Sequence, residues 1–172
     1  SKEQEIKQFK WTIEAVANLK VRLKQSQQLG TRLETVVTEW GKAQKVRYTK
    51  TAKGDKTVLV LTYAAKQTVH GKKSVTLWFE QEKDQGYRLT MVDATNLLDA
   101  NEKASSEKEI TSEKENKGTE LAHLINKLGT PQRLVWGELL DGEEGFLATY
   151  QIPGQAEVVM ELKKKGKKLV LV

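Results

Sequence analysis

The stretch "GTRLETVVTEWGKAQKV", Gly30 to Val46, returns 88 positions later as "GTELAHLINKLGTPQRL", Gly118 to Leu134, without a gap. Gly30, Thr31, Leu33, Gly41 and Gln44 recur as Gly118, Thr119, Leu121, Gly129 and Gln132. Apolar Val36, Val37 and Trp40 fall opposite Leu124, Ile125 and Leu128. A long self-match at one fixed offset implies that the chain is built from two copies of one structural unit.

Within each copy the spacing is helical. Leu33, Val36, Val37 and Trp40 lie at i, i+3, i+4 and i+7, as do Leu121, Leu124, Ile125 and Leu128, which places each set on one helix face. Thr31 and Thr119 are expected as N-caps, with Glu34 at the capping-box position of the first copy. Gly41 and Gly129 stand where a helix ends on a left-handed residue, and Pro131 blocks continuation.

Four stretches of alternating polarity follow each helix. "KVRYTK", "TVLVLTYA", "SVTLWFE" and "YRLTMVD" in the first copy, and "RLVWGE", "GFLATYQI", "AEVVMELK" and "KKLVLV" in the second, read as strands joined by hairpin-length turns. Such a series implies an antiparallel meander. Val46, Tyr48, Leu59, Leu61, Tyr63, Val75, Leu77, Phe79, Leu89 and Met91 are expected on the buried face of the first sheet. Arg47, Thr49, Thr62, Thr76, Trp78, Glu80, Arg88 and Thr90 fall on the opposite face.

Ahead of the first copy, Ile6, Phe9, Ile13, Val16 and Leu23 predict an amphipathic helix over 6–23, and "ATNLLDANEK" holds a shorter counterpart in the second. The expected fold is therefore α+β, a tandem repeat of two helices and a four-stranded antiparallel sheet. The helices cover one sheet face, leaving a concave opposite face. Residues 1–96 form the first repeat and 118–172 the second. Residues 97–117, low in apolar side chains, form a charged linker with room for a short helix.

The pattern "GTxLxxVVxxWGK", preceded by "WTIEAVANLKV", resembles the signature of small lipoproteins of Gram-positive bacteria with a β-lactamase inhibitory protein-like fold. Ala43 stands where that motif usually has proline, and "GTELAHLINKLGTP" restores it at Pro131. The resemblance implies two sheets forming one concave binding surface. It also implies a lipid-modified cysteine ahead of Ser1 and a location on the extracellular face of the cell membrane. Inhibition of a β-lactamase-type enzyme is the less favoured implication. The loop that carries an acidic residue into the target in that inhibitor corresponds here to the basic "AAKQTVHGKKS".

Composition narrows the chemistry. The 172 residues contain no cysteine, which removes disulfides, thiol catalysis and cysteine-based zinc sites. His70 and His123 lie far apart in the sequence, so neither a metal site nor a base with its orienting acid is visible, and the chain is expected to be non-enzymatic and without a cofactor. Asp141, Glu143 and Glu144 in "LLDGEEG" lack the alternation of a calcium loop and read as a solvated turn. The net charge of +6 tolerates an anionic partner, and "KQTVHGKK" and "KKKGKK" are the candidate contacts for wall polymer or lipid headgroups. No aromatic residues accompany these lysines, so specific nucleic-acid recognition is not expected.

Trp78 is the one large aromatic side chain expected on the outer face and the leading candidate for a binding anchor. Trp11, Trp40 and Trp136 are assigned to the core. The partner-binding set is Trp78, Arg47, Glu80 and Arg88, with His70, Lys72 and Lys73 from the basic hairpin. The expected function is that of a cell-envelope module receiving a protein or peptide, with polyanion binding as the alternative.

Overall fold

A computed structural model describes residues 11–65 and 73–172. Strands β1 (Lys45–Lys50), β2 (Thr57–Ala64), β3 (Ser74–Glu82) and β4 (Gly86–Asp93) are followed by β5 (Arg133–Glu138), β6 (Glu144–Tyr150), β7 (Val158–Lys165) and β8 (Lys168–Leu171). They form one eight-stranded sheet in the order β1 to β8, every neighbouring pair antiparallel. The helices are short: α1 (Ile13–Ala17), α2 (Leu33–Trp40), α3 (Glu107–Lys114) and α4 (Leu121–Leu128), with a 3-10 turn at Thr95–Leu97.

This overturns the expected tandem repeat of two helices and a four-stranded sheet. The molecule is mostly sheet, and the eight strands are continuous through Val92 opposite Trp136 and Asp93 opposite Val135. The predicted helix over 6–23 is also corrected. Ile6 and Phe9 lie outside the described residues, and the helix that is described ends at Ala17. Beyond it Leu19, Val21 and Leu23 are buried at alternate positions, the period of an extended chain. In place of a second-copy helix stands the 3-10 turn. The 97–117 segment holds α3, fixed by a Ser106–Glu109 capping box and by buried Ile110 and Glu113.

The threonines expected as helix caps do something else. The residues at the helix starts are Arg32 and Glu120, and neither side chain caps. Thr31 accepts from Leu89 N through its carbonyl at 2.9 Å, and Arg32 bridges Arg88. In the second half Leu171 N donates to Thr119 O at 2.8 Å, Gly118 N donates to Leu171 O at 2.7 Å, and Glu120 bridges Val170. Each glycine–threonine pair thus clasps the last strand of its half, satisfying backbone groups the sheet leaves open. Gly30 must be glycine for this contact, because a Cβ there would sit 1.9 Å from Leu89 O. Gly41 and Gly129 do end their helices, but in an extended conformation with φ of 79° and 88° and ψ of −161° and 179°. That region is more restrictive than the expected left-handed one and is essentially confined to glycine.

One core runs between the helices and the inner sheet face, from Val16 and Val36 through Tyr63, Leu77 and Phe79 to Trp136, Phe146 and Met160. The N-terminal segment reaches into the second half: Trp136 Nε1 donates to Leu19 O at 2.9 Å, and Glu144 accepts from Val21 N at 3.1 Å. Two tyrosines brace the helix ends in the same way, Tyr63 donating to Gly41 O and Tyr150 to Gly129 O, both at 2.8 Å. Burial pushes both hydroxyls above the usual phenol range, further for Tyr150.

Two outcomes follow. In urea denaturation Gly41→Ala should cost about 1–3 kcal/mol through backbone strain, and Gly30→Ala more, because β4 has to move. Tyr150→Phe should cost about 1–2 kcal/mol by leaving Gly129 O unpaired. Because the folded-state value of Tyr150 is raised, its contribution is complete below the unfolded phenol range and is lost as pH rises through the folded value. Stability of the wild type should therefore fall more steeply than that of Tyr150→Phe in alkaline solution.

Candidate functional site: the outer sheet face

The strand register lays three rows across the face opposite the helices. The central row is Arg47, Val60, Trp78 and Met91, each directly opposite the next. On one side run Thr49, Val58, Glu80 and Arg88. On the other, Lys45, Thr62, Thr76, Asp93, Val135, Leu147 and Glu161 continue into the second half of the sheet.

Met91 belongs to this face and not to the core, which corrects its expected place. The β3–β4 register shifts at Trp78/Phe79, so Thr90 is an extra residue between Leu89, opposite Phe79, and Met91, opposite Trp78. Such a bulge breaks the two-residue alternation and re-aims the strand beyond it. Val92, the next residue, is fully buried in the core. Thr90 Oγ1 donates to Trp78 O at 3.2 Å across the irregularity. Beside Trp78, Val58 and Val60 are buried although they face away from the helices, and neither is part of the main core.

An open depression of about 810 Å³ lies along this row, lined by Gln44, Lys45, Val46, Arg47, Val60, Thr62, Thr76 and Trp78. Its floor is apolar and hydroxylic, and its β1 rim is cationic through Lys45 and Arg47. Trp78 and Arg47, two of the residues proposed from the sequence, therefore share one site. Val46 and Tyr48, expected beneath the helices, are 56% and 66% exposed. The helix layer does not reach them, since α2 packs mainly on β4.

Glu80 and Arg88 lie opposite each other but are engaged elsewhere. Arg22 Nη1 meets Glu80 at 2.9 Å and Glu82 at 3.4 Å, and Lys56 meets Glu82 at 3.2 Å. Burial lowers the Arg22 pKa, but hydrogen bonds and charge from Glu80 and Glu82 outweigh it and hold the guanidinium more firmly protonated. Arg88 donates to Gly30 O at 3.1 Å and to Gln85 O at 2.9 Å. Both residues thus secure the edge of the site against the N-terminal segment.

Of the basic hairpin set, His70 and Lys72 lie outside the described residues. Lys73 is buried, donating to Leu97 O at 3.1 Å and paired with Asp99. Three lysines of "KKKGKK" are similarly committed: Lys163 pairs with Asp141 and Glu143, Lys164 with Asn18, and Lys168 with Glu120, while Lys165 and Lys167 are exposed and in no ion pair among the described residues. Glu144, read as part of a solvated turn, is largely buried and accepts from Lys20, Val21 N and Gln28. Arg22, Val58, Val60 and Met91 were missed as contributors. The bulge and the long-range ion pairs that place Met91 and Arg22 leave no local sequence signal.

Among the described residues, no group of three histidine, aspartate or glutamate side chains is placed to hold a metal ion. No protein family, characterised protein or solved structure was found to match this chain.

The lysine pairing has a direct readout. Asp141 is held below the usual carboxylate range chiefly by the hydrogen bond from Lys163, with help from Glu143 N. The stabilising contact is complete above the unfolded carboxylate range and disappears as pH falls through the lowered value. In Lys163→Met, NMR titration should find the Asp141 carboxyl returned toward its ordinary value.

Proposed function

We propose that this chain is a non-enzymatic binding module that receives a protein or peptide on its outer sheet face, with Trp78 as the anchor. One observation carries the reading: the bulge in β4 brings Met91 beside Trp78, next to Val60, so that an apolar strip crosses the strands on the side away from the core. A partly buried tryptophan ringed by apolar, hydroxyl and cationic groups has the make-up of an interface hot spot, where one aromatic anchor is surrounded by contacts that exclude water. The depression is open along the sheet, which suits an extended or protruding polypeptide.

The lysine arrangement favours this reading over a polyanion binder. Among the described residues, Lys73, Lys163 and Lys168 are matched by carboxylates and Lys164 by an asparagine, while unpaired Lys45 and Arg47 border the Trp78 depression. Placement at the cell envelope through a lipid anchor is the part of the proposal that rests on the glycine–threonine motif and its resemblance to Gram-positive lipoproteins. Fractionation of cells expressing the full-length gene tests that part separately.

The binding face is tested with immobilised wild-type and Trp78→Ala chains. A partner isolated from solubilised envelope and then purified should bind Trp78→Ala about thirtyfold more weakly, corresponding to about 2 kcal/mol. Circular dichroism should show the same fold in both. Unchanged affinity in Trp78→Ala, or an affinity that collapses with salt while ignoring that substitution, would refute the proposal.

A further inference from the structure

The two edges of the sheet are not equivalent. The β8 edge is partly closed, since Gly118 N and Thr119 O bond Leu171 and Glu120 bridges Val170. The β1 edge has no such cover among the described residues, and all six residues of β1 are exposed.

Among the described residues, the backbone of that edge has no partner on one side. Thr51 N donates to Lys56 O at 3.0 Å, which marks 51 and 56 as a closely spaced antiparallel pair. Such pairs recur at every second residue. With the register Thr49–Val58, Arg47–Val60 and Lys45–Thr62, the inward hydrogen bonds belong to Lys45, Arg47 and Thr49. The N–H and C=O groups of Val46, Tyr48 and Lys50 therefore point off the sheet. The same strand carries two exposed apolar side chains, Val46 and Tyr48, on one face, and Lys45 and Arg47 on the other beside the Trp78 depression.

Charge selects the occupant. From Gly41 to Lys50 there is no acidic residue, and Lys42, Lys45, Arg47 and Lys50 all carry positive charge. None of these four is in an ion pair among the described residues. Basic side chains on an edge strand repel a second copy of the same strand, a common defence against self-assembly. They attract an acidic one, because opposite charges on neighbouring strands stabilise the pair.

We propose that the β1 edge binds an acidic, extended polypeptide segment by strand addition, extending the sheet to a ninth strand. The inference rests on the reading of the chain as a polypeptide-binding module and supplies the mode of binding. Main-chain hydrogen bonds to Val46, Tyr48 and Lys50 give affinity, as in other strand-addition complexes. Alternate side chains give selectivity: carboxylates beside Lys45 and Arg47 on the outer face, and apolar groups beside Val46 and Tyr48 on the inner one. The outward side chains of such a strand lie beside the β1 rim of the depression, next to Lys45 and Arg47.

The test uses an end-blocked octapeptide of alternating glutamate and valine, a scrambled peptide of the same composition, and a lysine–valine version. The alternating acidic peptide should bind, should protect the Val46, Tyr48 and Lys50 amides from hydrogen exchange, and should bind at least tenfold tighter than either control. Tyr48→Pro removes an outward N–H, at a place where an edge strand tolerates proline, together with the Tyr48 ring, and should weaken binding at least tenfold and further than Tyr48→Ala, which removes the ring alone. Lys45→Glu with Arg47→Glu should reverse the preference toward the lysine–valine peptide and guards against misfolding of the proline variant. Absence of peptide binding, unchanged amide exchange, equal binding of the scrambled peptide, or self-association through β1 would overturn strand addition. With the natural partner, loss in Trp78→Ala but not in Tyr48→Pro rejects the edge and keeps the face, and the converse rejects the face alone.

Discussion

Among the described residues, only two pairs, Val92 with Trp136 and Asp93 with Val135, join the strand ladders of the two halves. Much else in the molecule follows from the shortness of that joint. Where β4 and β5 are not paired, backbone groups need other partners, because unpaired buried amides and carbonyls are costly. The N-terminal segment supplies them on the β4 side, with Arg22 N and Thr31 O bonding Leu89. On the other side the same segment meets Trp136 Nε1 through Leu19 O and the Glu144 carboxylate through Val21 N. Above the joint, Ala94 N donates to Leu134 O and Leu134 N to Thr95 Oγ1, closing the seam. The sheet is single because the chain before it bonds both halves.

The outer face owes its character to a smaller irregularity. Without the bulge at Thr90, that residue would pair with Trp78 and Met91 would fall opposite Leu77 on the core face. With it, the strand gains one residue on the approach to the joint, Met91 stays with Trp78, and Val92 turns into the core above Trp136. The same local geometry therefore builds the apolar strip and delivers β4 to its partner in the second half. Charged groups at the ends of the strip have separate duties: Glu80 and Arg88 hold the N-terminal segment, while Lys45 and Arg47 remain at the rim.

The positions of the strands were legible because alternation of polar and apolar residues is a local property, as in "TVLVLTYA", which is β2 to the residue. The identity of α2 and α4 was legible for the same reason, through the spacing of Leu33, Val36 and Trp40 and of Leu121, Leu124 and Leu128. What the glycine–threonine pairs do was not, because their partners Leu89 and Leu171 are over fifty residues away and a threonine before a helix reads equally well as a cap. Leu19, Val21 and Leu23 did carry a local signal, a period of two, but a helical match running back to Ile6 competed with it. At the site, Trp78 and Arg47 could be placed on one face by alternation alone. Met91 could not, since one extra residue reverses parity and only the pairing partner reveals where it sits.

Glu144 and Val21 are 123 positions apart, and Leu19 and Trp136 are separated by 117. On the ribosome the first of these partners emerges long before the second, so the amino-terminal stretch has no permanent seat while β1 to β4 are being made. Closing contacts over such distances is slow relative to hairpin formation, which needs only neighbours in sequence. The meander of the first half can form early, yet its β4 flank stays uncapped by a fully anchored segment until the chain past Glu144 has been synthesised. Maturation of this sheet therefore waits for the residues around Trp136 and Glu144, and a chain arrested before β6 is left with an adhesive seam.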